Sequence, residues 1–264
     1  MVSSFSSKLK LFFYLLKIDL TILLARIGSD IFDNLVWISL SIFVNGCVLP
    51  KLGISTAFGG FVCSGHITTL AIFSVYHAAM ILVSDFKNNK TINFELMLPL
   101  PSWAVFLKTA ISWGVRPFIL GLFAIPVGKL LLGAELPLED FSIFKFLTAV
   151  LVINFFSGCF AIFVTSLMRD ILSISLVWAR VLNPMWFLGG AFFNYATMYK
   201  HYPVFAKVLL LNPVTYAMEL SRGAVLGQDK VFLNFYVCVF ALITASCVFF
   251  SIGYLRLKNK LQFV

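Results

Sequence analysis

Apolar and polar positions follow a helical period along this chain, grouped on the length scale of a membrane. From Ser3 to Ile27, the residues Phe5, Leu9, Phe12, Leu16, Leu20, Leu23 and Ile27 recur at spacings of three and four. Lys10, Tyr14, Lys17 and Thr21 form a separate polar stripe. The pattern predicts a helix over 3–27 lying in the membrane interface. Leu11, Leu15, Ile18 and Ile22 make a third, apolar side, so a crossing is the rival reading, but Lys17 and Asp19 near its middle make that costly. Six apolar runs follow, at about 31–49, 58–83, 103–132, 143–167, 171–193 and 231–255. Each is near or above the roughly 20 residues that a bilayer requires. The expected fold is therefore an all-α membrane protein with six transmembrane helices, an N-terminal interfacial helix and no soluble domain.

Two connections break this pattern. The first, Ser84 to Ser102, is polar in its first half and apolar over Ile92–Leu98. This predicts a short helix at about 91–98, which Pro99 and Pro101 stop because a residue before proline disfavours helix. Phe94, Leu96, Met97 and Leu98 would be poorly solvated alone; they suit a groove on a partner or a position flat on the lipid headgroups. The second, about 203–227, is too apolar for an ordinary loop and too broken for a clean crossing. Asn212 is placed to cap a helix that begins at Pro213. Glu219 and Arg222 are three apart, share a face and can pair. The Gly223–Gly227 spacing reads as a helix stop rather than a helix contact. Non-helical backbone at membrane depth is tolerated only against protein or a water-filled path, so this segment reads as a re-entrant hairpin on the outer side.

Composition agrees with the membrane class. The 264 residues are 61% hydrophobic and 12% charged, with mean hydropathy +0.98, whereas a soluble domain carries about 25% charged residues. The net charge of +9 does not point to nucleic acid, because Lys and Arg sit mainly at the ends of apolar runs. With six crossings, Lys8, Lys10, Lys17, Arg26, Lys87, Lys90, Lys108, Arg169, Arg256, Lys258 and Lys260 fall on one face. Lys51, Lys129, Lys145, Lys200, Lys207, Arg222 and Lys230 fall on the other. This bias places both termini in the cytoplasm and the acidic loop Ala134–Asp140 outside. No small-residue cleavage site follows the first apolar run, so no cleavable signal peptide is expected. The five cysteines lie in apolar runs without CxxC spacing and read as small buried hydrophobes.

Four polar features inside the spans, one of them a pair of histidines, are candidates for function. Arg116 lies thirteen residues after Trp103, about 20 Å along a helix, and Pro117 loosens the backbone beside it. An intramembrane charge faces protein or water, and a structural or gating role is favoured over direct substrate contact. Arg180, near Asn183-Pro184, could meet an anionic headgroup or anchor a subunit contact. His66 and His77 are eleven apart, hence about 16 Å along one helix face and too far to share a metal; hydrogen-bonded packing is expected instead. Asn154 is expected to bond a neighbouring helix. The only Gly-Lys pair, Gly128-Lys129, has Phe123 and Leu130 where a phosphate loop needs glycine and Ser or Thr, so ATP hydrolysis by this chain is not expected.

The order of these parts resembles the membrane subunit of ABC-2 type exporters, which include drug, lipo-oligosaccharide, O-antigen and teichoic acid permeases. The resemblance rests on Leu98-Pro99-Leu100, Arg116, the run Asn183 to Phe193 (NPMWFLGGAFF), and Leu211 to Tyr216 through Glu219 and Arg222. Where this family often has proline after the fifth span, the chain has Asn194. The resemblance implies a homodimer or a dimer with a related permease subunit in the bacterial inner membrane, in contact with membrane lipids. It also implies a separate ATP-binding subunit that carries ATP and Mg, with no cofactor in this chain. Phe94, Glu95, Leu96, Met97 and Leu98 would then be a coupling helix to that ATPase. Asn212, Pro213, Tyr216, Glu219 and Arg222 would form the outer re-entrant gate. The cargo would be amphipathic, lipid-linked or hydrophobic. A polytopic acyl- or glycosyltransferase is one alternative, but Glu135, Glu139 and Asp140 have no nearby histidine. A secondary transporter is another, but only one broken hairpin is visible and no internal repeat.

Overall fold

A computed structural model describes residues 5–87, 90–168 and 170–262. Ser3, Ser4, Asn88, Asn89 and Arg169, which entered the expectations above, lie outside the described residues. Among the described residues every regular element is helical. Helix α1 spans Phe5–Phe43, passes through a π-turn at Val44–Val48, and ends in the single turn α2, Leu49–Lys51. The expected boundary between an interfacial helix and a first span is absent. Gly28 alone costs a helix only about 1 kcal/mol, and no proline stands between residues 5 and 49 to stop it. Asp30, between the two expected segments, bonds sideways to Arg116.

Helix α3 (Ala57–Lys87) is followed by the short α4 (Thr91–Met97). The next span is two helices, α5 (Ser102–Gly121) and α6 (Ala124–Leu132), set apart at Leu122–Phe123. Pro126 has no N–H for the Leu122 carbonyl, which accounts for the step. At the step the Leu120 carbonyl accepts from Phe123 N at 3.2 Å and also from Asn34 Nδ2 of α1 at 3.2 Å. Helix α7 (Ile143–Leu167) is the most buried of the long apolar helices and packs against α3, α5 and α13. The fifth expected span consists of α8 (Ser173–Val177), a π-turn at Trp178–Leu182, and α9 (Asn183–Leu188). Pro184 cannot donate to the Arg180 carbonyl, and the π-turn absorbs that missing bond. This stretch stops at Gly190, with φ +93°, short of the expected Phe193. The outer connection holds α10 (Tyr195–His201), α11 (Pro203–Leu209) and α12 (Pro213–Leu226), and α13 (Phe235–Gln262) closes the chain.

Among the described residues, four helical stretches are long and apolar enough to cross a membrane: Ala57–Phe86, Ser102–Glu135, Ile143–Leu167 and Phe235–Lys260. They correspond to the second, third, fourth and sixth expected spans. The first runs from the end of α1 into the π-turn at Val44–Val48 and is not among them, and the fifth is shorter than the sequence pattern implied.

Close helix approach holds the centre together. A Cβ added at Gly114 of α5 would lie 2.7 Å from the Asn154 carbonyl oxygen, and one at Gly158 of α7 would run into the Ala110 carbonyl. Small residues let helix backbones meet in this way where lipid offers no hydrophobic drive. Gly158→Ala is expected to destabilise the protein by about 1–3 kcal/mol, the usual cost of overpacking. Gly28 has nothing within 4 Å of its would-be Cβ, so Gly28→Ala should stabilise α1 by up to about 1 kcal/mol. Thermal unfolding in detergent distinguishes the two; equal melting temperatures would refute the close contact. Asn154, expected to bond another helix, donates instead to Val150 of its own helix at 2.7 Å.

Candidate functional site

The short helix α4 forms because Asp85, at the end of α3, accepts from the first backbone N–H groups of the new helix. Its Oδ1 is 3.2 Å from Thr91 N and its Oδ2 is 3.0 Å from Ile92 N. Lys90 takes the left-handed conformation that turns the chain between them. The helix ends at Met97, and Leu98 is extended ahead of Pro99. Two faces result. Ile92 and Glu95 are buried, and Leu96 packs in a small apolar cluster with Val105, Phe106 and Leu257. Phe94 and Met97, three apart, point outward and are 64% and 83% exposed. The sequence grouped Phe94 to Leu98 together; the structure divides them, so that Glu95 anchors while Phe94 and Met97 face away.

Glu95 is anchored by Lys108 of α5, whose Nζ lies 2.7 and 2.8 Å from the two carboxylate oxygens. The same Nζ lies 2.8 Å from Asp19 Oδ2 of α1. One buried ammonium therefore ties α1, α4 and α5 together. Burial pushes the Glu95 carboxyl above its ordinary value, and the hydrogen bond and charge of Lys108 oppose that shift. Further along α1 and α5, Arg116 grips Asp30 with two bonds, Nε to Oδ2 at 2.8 Å and Nη2 to Oδ1 at 2.6 Å. Such a two-point pair is stronger and more directional than a single contact. Both pairs advance in the same order, Asp19 then Asp30 on α1 and Lys108 then Arg116 on α5, so the two helices run parallel. The sequence pattern counts Lys108 among the bases of the cytoplasmic face and makes Asp19 costly to a crossing. Complementary acids and bases on two helices were the available signal, but nothing in the spacing shows which helices are neighbours.

A cleft opens between α1, α3, α4 and α5. Its lower part, about 490 Å³, is walled by Asp19, Arg26, Asp85, Glu95, Lys108 and Arg116 among others. A smaller continuation of about 250 Å³ shares Asp30, Ser74, His77 and Arg116 and reaches Asp33, Trp37 and Phe73. The two histidines of α3 therefore differ. His66 is buried, with Nε2 unpartnered among the described residues, while His77 is exposed on the cleft and its Nδ1 lies 3.3 Å from the Phe73 carbonyl. The expected pair of packed, hydrogen-bonded histidines on one face is not what forms, because their surroundings change along the helix.

At the opposite end, α12 is buried along most of its length. Asn212 caps it as expected, accepting from Val214 N at 3.1 Å, and its Nδ2 donates to the Met185 carbonyl at 2.7 Å. Pro213 takes the first helical position and Tyr216 is half-buried. The helix ends at Gly227, with φ +97°. Among the described residues Glu219 and Arg222 do not form the expected ion pair. Glu219 Oε2 accepts instead from the Phe232 and Leu233 amides at 2.8 and 3.1 Å. The Arg222 guanidinium stacks over Phe61 of α3, 3.5 Å from the ring centroid, and donates from Nη2 to the Ala191 carbonyl at 3.4 Å. Flanking elements supply better-placed partners than the neighbouring turn does, and α12 is thereby sewn to α3, to the end of α9 and to the start of α13. Arg180 sits on the π-turn and is exposed. Asn194, in place of proline, caps α10 by accepting from Ala196 N at 2.8 Å.

No curated protein matches this chain. The family model for ABC-2 type transporters matches residues 11–226, from within α1 to the end of α12. That stretch takes in the short helix with its outward Phe94 and Met97, the cleft and the buried outer helix. The chain belongs to the ABC-2 type transporter family and is a multi-pass membrane permease component of such a transporter.

Proposed function

We propose that this permease is one half of an exporter, crossing the bacterial inner membrane six times with both termini in the cytoplasm. It pairs with a second copy or a related subunit, and a separate ATP-binding subunit supplies ATP and Mg chemistry. The single observation that carries the reading is the division of α4: Phe94 and Met97 are left uncovered, while Glu95 is fixed from behind by Lys108 and Asp19. An apolar pair on a rigidly backed helix is what a partner groove needs in order to push. Force on α4 would pass directly to α5 and α1, the helices that wall the cleft. Rigid-body movement of that kind gives alternating access for an amphipathic, lipid-linked or hydrophobic cargo. The parallel course of α1 and α5 supports a topology in which the first and third spans cross in the same sense. The buried α12 would serve as the outer re-entrant gate.

Topology is tested with single cysteines on a cysteine-free background. A cysteine at Lys90 should be protected from a membrane-impermeant maleimide in intact cells, and one at Glu139 should react. Labelling at position 90 with protection at 139 would place α4 outside, where no nucleotide-driven partner reaches it, and would end this reading.

A further inference from the structure

The upper part of the cleft has a charge with no ion-pair partner among the described residues. Two acids, Asp30 and Asp33, and one base, Arg116, stand on its walls, leaving one net negative charge. Arg116 is fully engaged by Asp30. Asp33 is exposed, and among the described residues no ion pair or hydrogen bond engages it. One turn further along α1, Trp37 is 51% exposed, its ring 6.4 Å from that of Phe73. Asn34, 5% exposed on the same wall, directs Nδ2 to the Leu120 carbonyl and has no partner for Oδ1 among the described residues.

The level of this corner in the bilayer follows from helix lengths. The hydrocarbon layer is about 30 Å thick, or about 20 helical residues. Counting that far back from Leu132, at the end of α6, reaches the region of Ser112. Lys108 then lies among the inner headgroups and Arg116 just inside the inner hydrocarbon boundary. Asp30 shares the level of Arg116 through their bond, and Asp33 is one turn deeper. A free carboxylate beside an exposed indole at this depth matches one ligand chemistry. A cation is attracted by the acid and by the ring face, and an apolar tail attached to it would lie along the bilayer-facing side of α1.

We propose that the cleft between α1, α3 and α5 binds the ammonium head of an amphiphile drawn from the inner leaflet, with Asp33 as its counter-charge and Trp37 as its aromatic wall. The choice of leaflet rests on the proposed topology, but the site needs neither transport nor an ATPase, so its failure would leave the proposed function standing. Two sources share this chemistry, a free cationic amphiphile and the ethanolamine headgroup of a phospholipid.

The test uses the full chain in dodecyl maltoside and counts bound adducts by native mass spectrometry. Dodecyltrimethylammonium is the first probe, phosphatidylethanolamine the second and phosphatidylglycerol the lipid control. Asp33→Asn should weaken binding of a cationic probe about tenfold and Trp37→Leu about threefold, while the distant Asp229→Asn leaves it unchanged. Loss confined to dodecyltrimethylammonium identifies a free amphiphile as the ligand; loss confined to phosphatidylethanolamine identifies the lipid. Both side chains are exposed, so the variants should elute as the wild type does. Equal binding by wild type and Asp33→Asn, binding of phosphatidylglycerol as tight as that of the ammonium-bearing probes, or a change in oligomeric mass in Asp33→Asn would overturn the proposal. The last result would make Asp33 a contact between copies.

Discussion

Replacing Lys108 with methionine is expected to cost the folded protein about 3–5 kcal/mol, the range seen when one partner of a buried ion pair is removed. Lys108 is 3% exposed at its side chain, and the carboxylates it holds are 7% exposed at Glu95 and 27% at Asp19. Methionine preserves much of the aliphatic volume, so the loss is electrostatic rather than a cavity. Two acids from different helices would then face each other across a largely buried site, and α4 would lose its attachment to both α1 and α5. Adding Glu95→Gln and Asp19→Asn to Lys108→Met should recover a large part of the stability, because the cost lies in the stranded charges. Thermal unfolding in detergent across this set measures it. A single Lys108→Met variant as stable as the wild type would show that the three groups do not form one buried cluster.

Charged residues at Phe94 and Met97 are expected to give the opposite separation of effects. Both side chains are largely exposed, so Phe94→Glu with Met97→Glu should leave the melting temperature of the isolated permease within about 0.5 kcal/mol of the wild type, as surface substitutions do. Association with the ATP-binding subunit should fall by a factor of 100 or more, because truncating two central apolar anchors costs about 2 kcal/mol each or more. Co-purification from a strain expressing both subunits reads out the association, and export of cargo reads out the consequence. Unchanged co-purification together with unchanged export would remove α4 as the coupling element. Lys108→Met and the α4 surface variant thus act on opposite faces of the same seven-residue helix, one through stability and one through binding.

Much of the architecture was legible in the sequence because it rests on local rules. The helical period of apolar residues, proline after α4, asparagine before Pro213 and glycine after Leu226 each act within a turn or two of chain. Those elements appear where the rules put them. Errors fell where a residue's role depends on what packs against it. An interfacial helix ending at Ile27 and a span starting at Ile31 were expected, but one helix runs through and Asp30 has a partner on α5. Glu219 and Arg222 read as a pair because they share a helix face; the amides at Phe232 and Leu233 and the ring of Phe61 are better placed.

The sequence by itself determined the membrane class, the helical content, the short proline-ended helix after the second span and the capped helix at Pro213. Hydropathy and backbone propensity act locally and survive any arrangement of neighbours. Only the tertiary structure decided that Lys108 lies buried between Asp19 and Glu95, that Arg116 faces Asp30, and that Asp33 stands unanswered beside Trp37. A buried charge is stable only against a particular partner at hydrogen-bond distance, and which helices meet to supply that partner is a property of packing rather than of spacing along the chain.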